Sequence, residues 1–128
     1  MRSRILCISG QEEVARELAA MLHSLPLLLE YAESLQQARA ELNRHEYDVL
    51  LTEAQLSDGN WLDVLHLARE YPHELTVVVT DRQADARLWS QALNLGVYDV
   101  LTQPFYEPEV RRILQNASTR LERRMTAV

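Results

Sequence analysis

Five residues that close or directly follow short apolar runs have the clearest potential for chemistry. They provide one carboxylate, two hydroxyls, one amide and one bare backbone position: Glu53, Ser9, Thr80, Gln103 and Gly10. If the runs are strands of one parallel sheet, their carboxyl ends meet at one edge, where ligands bind in open α/β sheets. A carboxylate can act as a nucleophile or bind a cation, but Mg²⁺ prefers several oxygen ligands. The pattern therefore predicts a functional edge with a single anionic group.

The apolar runs are short and alternate with segments of helical periodicity. Strands are predicted near residues 5–8, 27–29, 48–52, 75–80 and 100–101. The first helix is predicted to end at Pro26, a capping box at 34–37 opens the second, and Gly96 ends the fourth. The apolar stripe of the fourth helix is predicted to comprise Leu88, Trp89, Ala92, Leu93 and Leu95. Strands that alternate with helices indicate a parallel sheet with helices on both faces, in a doubly wound α/β fold.

Composition excludes several classes of function. The chain has 128 residues, enough for one domain, and a net charge of −6, which disfavours direct nucleic-acid binding. Its 13 basic residues are all arginine. Cys7 lies in an apolar run and is predicted to be a buried thiol. No apolar stretch reaches membrane-spanning length, so we expect no membrane association and a cytoplasmic location.

Two stretches resemble motifs of receiver domains, the response-regulator domains of two-component signalling. Residues 47–59, YDVLLTEAQLSDG, are similar to the third strand and the loop that contains the phosphoacceptor aspartate. Residues 101–105, LTQPF, resemble the Lys-Pro-Phe motif after the fifth strand. The order of elements matches over nearly the whole chain. The resemblance implies a flavodoxin-like three-layer sandwich with strand order 2-1-3-4-5.

The resemblance also indicates an atypical, degenerate member of the family. Glu53 occupies the phosphoacceptor position, Ser9 and Gly10 the acidic-pair positions, and Gln103 the lysine position. All four changes weaken the same chemistry, because Mg²⁺ loses carboxylate ligands and the phosphoryl group loses its cation. No lysine elsewhere in the chain can replace the missing one. We therefore expect no cofactor and weak or absent Mg²⁺ binding.

Three further positions concern the switch that the family uses after phosphorylation. Thr80 matches the hydroxyl that senses the phosphoryl group, and Val100 stands where a switch aromatic is usual. A valine has no large rotamer change, so we expect no conventional Thr–aromatic relay. The resemblance implies a cis bond before Pro104. Glu53 has two interpretations, a tolerated acid at a disused site or a mimic of the activated state that bonds Thr80 or Gln103.

The favoured function is a non-enzymatic regulatory module that acts through a protein partner or a fused output domain, in a context of transcription regulation. One alternative is a receiver that is still phosphorylated at Glu53 or a neighbour. Another is a flavodoxin-like cofactor-binding domain. Residues 9–13, SGQEE, count against the latter because they lack a phosphate-cradling loop.

The last predicted helix is longer than is needed to cover a sheet. We assign residues 1–119 to the receiver-like domain and residues 120–128 to the end of this helix, as a linker to an output domain. The helix has apolar residues at the spacing of a coiled-coil seam: Val110, Leu114, Ala117 and Leu121. A homodimer, if one forms, is expected to use the fourth helix, the fifth strand and the last helix.

Overall fold

The chain folds into a parallel sheet covered by helices on both faces. The computed structural model describes residues 2–72, 74–83 and 85–119. Its strands are β1 (Ser3–Ile8), β2 (Leu27–Ala32), β3 (Val49–Glu53), β4 (Gln55–Leu56), β5 (Gly59–Asn60), β6 (Thr76–Asp81) and β7 (Asp99–Thr102). Its helices are α1 (Glu12–Met21), α2 (Leu35–Arg44), α3 (Trp61–Arg69), α4 (Ala86–Asn94) and α5 (Glu107–Ser118).

The main sheet has the order β2-β1-β3-β6-β7, and each neighbouring pair of strands is parallel. Counted within this sheet alone, that is the predicted order 2-1-3-4-5, so the doubly wound fold is confirmed. The remaining two strands were not predicted. β4 and β5 form a small antiparallel hairpin with residues 57 and 58 as its turn.

Two separate cores lie on the two faces of the sheet, because successive residues of a strand point to opposite faces. In β1, Leu6 and Ile8 pack with α2, α3 and α4, whereas Ile5 and Cys7 pack with α1 and α5. All four side chains are buried. Burying a large apolar side chain contributes about 1.5–3 kcal/mol, so both faces of the central strand stabilise the three-layer arrangement.

The end of α1 differs from its prediction. The helix ends at Met21 with Leu22 as its C-cap, several residues before Pro26. Ser24 has a φ of 65°, in the left-handed region, which is incompatible with a continuing helix. The carbonyl of Pro26 accepts a hydrogen bond of 3.1 Å from the amide of Ser3. Pro26 therefore leads into β2 rather than ending α1.

The apolar stripe of α4 is only partly covered. Ala92 is the buried residue of this helix, while Leu88 and Trp89 are half-buried. The other two apolar side chains assigned to this segment are exposed, Leu93 by 44% and Leu95 by 40%. Because α4 packs on the edge strand β7, the core covers only part of its apolar surface.

The apolar seam of α5 lies in the core. Val110, Leu114 and Ala117 are buried against the sheet in the same cluster as Leu18 of α1. Leu121 and the predicted linker at 120–128 lie outside the described residues. The three described members of the seam therefore cover the sheet, and use of the fourth helix, the fifth strand and the last helix by a homodimer stays a prediction.

The helices of the described residues are short. The longest of them, α5, has 12 residues, whereas a span of the bilayer needs about 20. Within the described ranges, no helix combines the length and apolar character that crossing a membrane requires.

Candidate functional site

The sheet register brings the predicted site residues to one edge. Ile8 pairs with Thr52, so Ser9 follows β1 beside Glu53 at the end of β3. Glu53 pairs in turn with Thr80 of β6. β7 lies beside β6 and leads to Gln103. Helical crossovers between parallel strands bring these residues to one edge although they are far apart in sequence.

The carboxylate of Glu53 accepts a hydrogen bond from the hydroxyl of Ser9. Glu53 is half-buried and Ser9 is completely buried. The Ser9 hydroxyl also accepts from the amide of Gln11 at 3.0 Å, and the Ser9 carbonyl accepts from the Tyr31 hydroxyl at 2.8 Å. Ser9 thus joins the ends of β1, β2 and β3 with the segment that opens α1.

Thr80 and Gln103 form a separate pair. The buried Thr80 hydroxyl donates to the carbonyl of Leu101 at 2.8 Å and accepts from the side-chain amide of Gln103 at 3.2 Å. The interpretation in which Glu53 bonds Thr80 or Gln103 does not match this arrangement. The Thr80 hydroxyl is already bonded to Leu101 and Gln103, whereas the hydroxyl that bonds Glu53 is that of Ser9.

Two adjoining cavities open at this edge. One, of about 350 Å³, is lined by Gly10, Gln11, Glu53, Gln55 and Arg82. The other, of about 360 Å³, is lined by Glu17, Arg82, Gln103, Pro104 and Phe105. Each cavity therefore has one carboxylate in its wall, and the same guanidinium lines both.

The cavity beside Glu53 offers a single carboxylate as a ligand for a cation. Glu53 is the only carboxylate among its lining residues, and its partner Ser9 is engaged with Gln11 as well. A hexacoordinate ion needs oxygen ligands around it, normally including more than one charged or carbonyl group from the protein. Across the part of the chain that the structure describes, no three His, Cys, Asp or Glu side chains are grouped to hold a metal ion.

The thiol of Cys7 lies beneath this edge. Burial raises the pKa of Cys7 to about 12, and the negative charge of Glu53 adds to the effect. The thiolate is the reactive form of cysteine, so burial and the raised pKa disfavour reactivity of this thiol. Its role is packing, as the apolar run around it indicates.

The hairpin that follows Glu53 is fastened to the start of α2. The carboxylate of Asp58 accepts hydrogen bonds from the amides of Leu35 at 2.8 Å and Gln36 at 3.0 Å. These two bonds hold the pKa of Asp58 below its usual value of 3.8. A Cβ at Gly59 would lie 2.7 Å from the carboxylate of Asp63 and would push it away from the amide of Asn60, to which it is hydrogen-bonded.

The capping box predicted at the start of α2 forms in part. Ser34 is the N-cap, and its hydroxyl accepts from the amide of Gln37 at 3.1 Å. The side chain of Gln37 returns to the amide of Glu33 rather than to that of Ser34. The amides of Leu35 and Gln36 donate instead to the carboxylate of Asp58 in the hairpin. The start of α2 and the conformation of the hairpin therefore stabilise each other.

The remaining predicted positions lie around the fifth strand of the main sheet. Val100 is completely buried in the core beneath α4. Tyr98 and Phe105 are half-buried and pack against the opposite core. The Gln103–Pro104 peptide bond is cis, the isomer that the sequence resemblance implies.

Sequence reasoning missed the contribution of Arg82. Its guanidinium donates to the side-chain oxygen of Gln11 at 2.8 Å, which joins the segments that follow β6 and β1. The available signal was position, since Arg82 comes two residues after Thr80 and so lies at the same edge. Gln11 and Gln55 were missed for the same reason, because no motif singles them out.

Comparison with known proteins identifies the class that this fold and edge define. Residues 5–115 match the sequence model of the response regulator receiver domain, and the chain belongs to this family. Members of the family are regulatory domains of two-component systems. The family match favours this interpretation over a flavodoxin-like cofactor binder.

Individual relatives are distant but cover the domain. The chain is 25% identical over 116 residues to the response regulator protein PilR of Pseudomonas aeruginosa, which covers 91% of this chain and 26% of PilR. It is 26% identical over 110 residues to the photosynthetic apparatus regulatory protein RegA of Cereibacter sphaeroides, covering 86% of this chain and 60% of RegA. The chain thus spans less than two thirds of either relative.

A solved structure of a receiver domain has the same fold as this chain. The signal receiver domain of an HD domain-containing protein from Pseudomonas fluorescens is 26% identical and superposes with a TM-score of 0.81. The match covers 98% of this chain and 99% of that domain. The similarity therefore extends over the complete α/β sandwich.

Proposed function

We propose that this chain is a receiver domain that regulates a protein partner or fused output domain without being phosphorylated. The observation that carries the proposal is the hydrogen bond between Ser9 and Glu53. The carboxylate at the phosphoacceptor position is already engaged by a buried side chain of the protein. It has an internal partner where phosphoryl transfer requires a free, in-line nucleophile.

The charges around Glu53 support the same function. A transferring phosphoryl group needs metal ions or fixed cations on its oxygens. Ser9 and Gly10 provide no carboxylate to hold a metal, and Gln103 offers a neutral amide that is bonded to Thr80. The longer side chain of Glu53 also displaces the nucleophile by about one bond length, and such a misplacement can cost roughly 10²-fold in rate.

The surface around α4 and α5 supports action through protein contacts. Leu93 of α4 and Leu95, its C-cap, are exposed, and Tyr106 is 66% exposed just before α5. Exposed large apolar side chains are typical of protein-binding surfaces when they form a patch. The elements that carry them belong to the face that we expected a homodimer to use. The relatives PilR and RegA are named as regulatory proteins, in keeping with an output domain or partner that this receiver controls.

The proposal is tested by incubating the protein with acetyl phosphate and Mg²⁺ and measuring its intact mass. We expect no adduct and no change in the amide spectrum. A labile adduct of one phosphate that is absent from Glu53→Gln would overturn the proposal in favour of a phosphorylatable receiver. Adduct on a different residue, located by peptide mapping, would overturn it equally.

A further inference from the structure

Arg82 is the basic residue that lines both cavities of the carboxyl edge. Among the described lining residues of either cavity it is the one cation. The arginine guanidinium is a permanent cation in proteins. The carboxylate of Glu53 lines the first cavity and that of Glu17 the second, so Arg82 shares each cavity with one carboxylate.

The position of Arg82 is fixed across the sheet. It directly follows β6, and its partner Gln11 lies three residues after β1. β3 lies between β1 and β6 in the sheet. The hydrogen bond between Arg82 and Gln11 therefore crosses the end of β3, the strand that Glu53 closes.

Gln11 links this crossing to the Glu53 carboxylate. Its backbone amide donates to the Ser9 hydroxyl, and Ser9 donates to Glu53. A chain of hydrogen bonds thus runs from the guanidinium of Arg82 through Gln11 and Ser9 to the anion. The guanidinium of Arg82 lines the same cavity as Glu53 without forming an ion pair with it. Its positive charge therefore acts on any ion that enters this cavity.

We propose that Arg82 is the resident cation of this site and keeps divalent cations away from Glu53. A fixed positive charge repels cations and so lowers their local concentration. The repulsion energy is twice as large for a divalent ion as for a monovalent ion at the same distance. Removing it should raise the affinity for a divalent ion on the order of tenfold. The inference deepens the proposed function, because it names a residue that makes the site independent of metal.

The test uses Mn²⁺ alone, followed by paramagnetic broadening of amide signals around Glu53. Arg82→Gln removes the charge and Arg82→Lys retains it. Arg87→Gln is the matched control, since Arg87 is also exposed but lines a different cavity, with Ser90 and Gln91. We expect Arg82→Gln to bind Mn²⁺ about tenfold more tightly than the wild type, and the other two variants to match the wild type.

The double variant Arg82→Gln with Glu53→Gln should lose the gain in Mn²⁺ affinity. This loss would show that the ion binds at the Glu53 carboxylate. The inference is overturned if Arg82→Gln broadens the same amides at the same Mn²⁺ concentrations as the wild type. It is also overturned if Arg87→Gln gains as much, because the effect would then follow net charge rather than position. Neither result depends on the phosphodonor experiment, so failure of this inference and failure of the proposed function are separate outcomes.

Discussion

The hydroxyl of Ser9 and the carboxylate of Glu53 form a hydrogen bond between the ends of two adjacent strands. The sequence resemblance assigns both residues to the phosphorylation site of the receiver family, and here they are hydrogen-bonded to each other. The bond gives a buried hydroxyl a charged acceptor and gives the carboxylate a donor. It therefore stabilises the edge of the sheet at the place where the predicted chemistry is lost.

Ser9→Ala is predicted to destabilise the domain by about 1–3 kcal/mol, because it leaves the amide of Gln11 and the Glu53 carboxylate without a buried partner. Chemical denaturation followed by circular dichroism measures the change. Ser57→Ala is the control, since Ser57 is exposed in the hairpin turn and should alter stability by less than about 0.5 kcal/mol. Equal effects of the two substitutions would show that the hydrogen bond contributes nothing specific.

Asp58→Asn is predicted to lower stability at neutral pH, because the charged carboxylate accepts from two helix amides. The pKa of Asp58 is lower in the folded protein than its usual value of 3.8. Its contribution is therefore complete above that value and is lost as the pH falls through the lowered folded pKa. The difference in melting temperature between wild type and variant should shrink as the medium is acidified below this value.

Glu46→Gln provides the matched control for the charge change, since Glu46 is exposed. It should give no comparable pH-dependent difference. A gap between wild type and Asp58→Asn that stays constant down to strongly acidic pH would contradict the role of the charged cap.

Arg111→Ala is predicted to destabilise the packing of α5 against α1 by about 1 kcal/mol. The guanidinium donates to the carbonyls of Met21 at 3.0 Å and His23 at 2.9 Å, at the end of α1. Thermal unfolding measures the loss. The adjacent, exposed Arg112 supplies the control, and a melting temperature as low for Arg112→Ala would indicate a general charge effect instead.

Combined replacement of the four altered positions is predicted to restore phosphorylation. The changes are Ser9→Asp, Gly10→Asp, Glu53→Asp and Gln103→Lys, which return the metal ligands, the nucleophile and the cation. A side chain at Gly10 has room, because a Cβ there meets no atom within 4 Å. Acetyl phosphate with Mg²⁺ should then give an acid-stable, base-labile adduct detectable by intact mass.

The same variant with glutamate retained at position 53 is the control and should remain unmodified. If the fourfold variant folds but takes no phosphate, the lost chemistry does not reside in these four positions alone. A calorimetric melt of the unreacted protein distinguishes that result from failure to fold.

Much of this architecture could be read from local patterns. Short apolar runs predicted the strands of the main sheet, and their alternation with helical segments predicted its doubly wound form. The edge containing Glu53 and Thr80 followed from the rule that parallel strands end together. These features depend on hydrophobic periodicity and turn residues within a few positions, which a single sequence displays directly.

Tertiary structure alone decided which groups meet. The bond of Ser9 to Glu53 joins residues 44 apart, and that of Arg82 to Gln11 joins residues 71 apart. The sequence could not distinguish Ser9 from Thr80 as the partner of Glu53, because both hydroxyls lie at the carboxyl ends of strands adjacent to β3. Strand register and the Leu101 carbonyl, which accepts from Thr80, leave Ser9 as the partner of Glu53. In the same way, only the packing of α5 against the sheet shows that the described part of its apolar seam belongs to the core. Side-chain pairing depends on distances across the fold, and these are set only when all layers are packed.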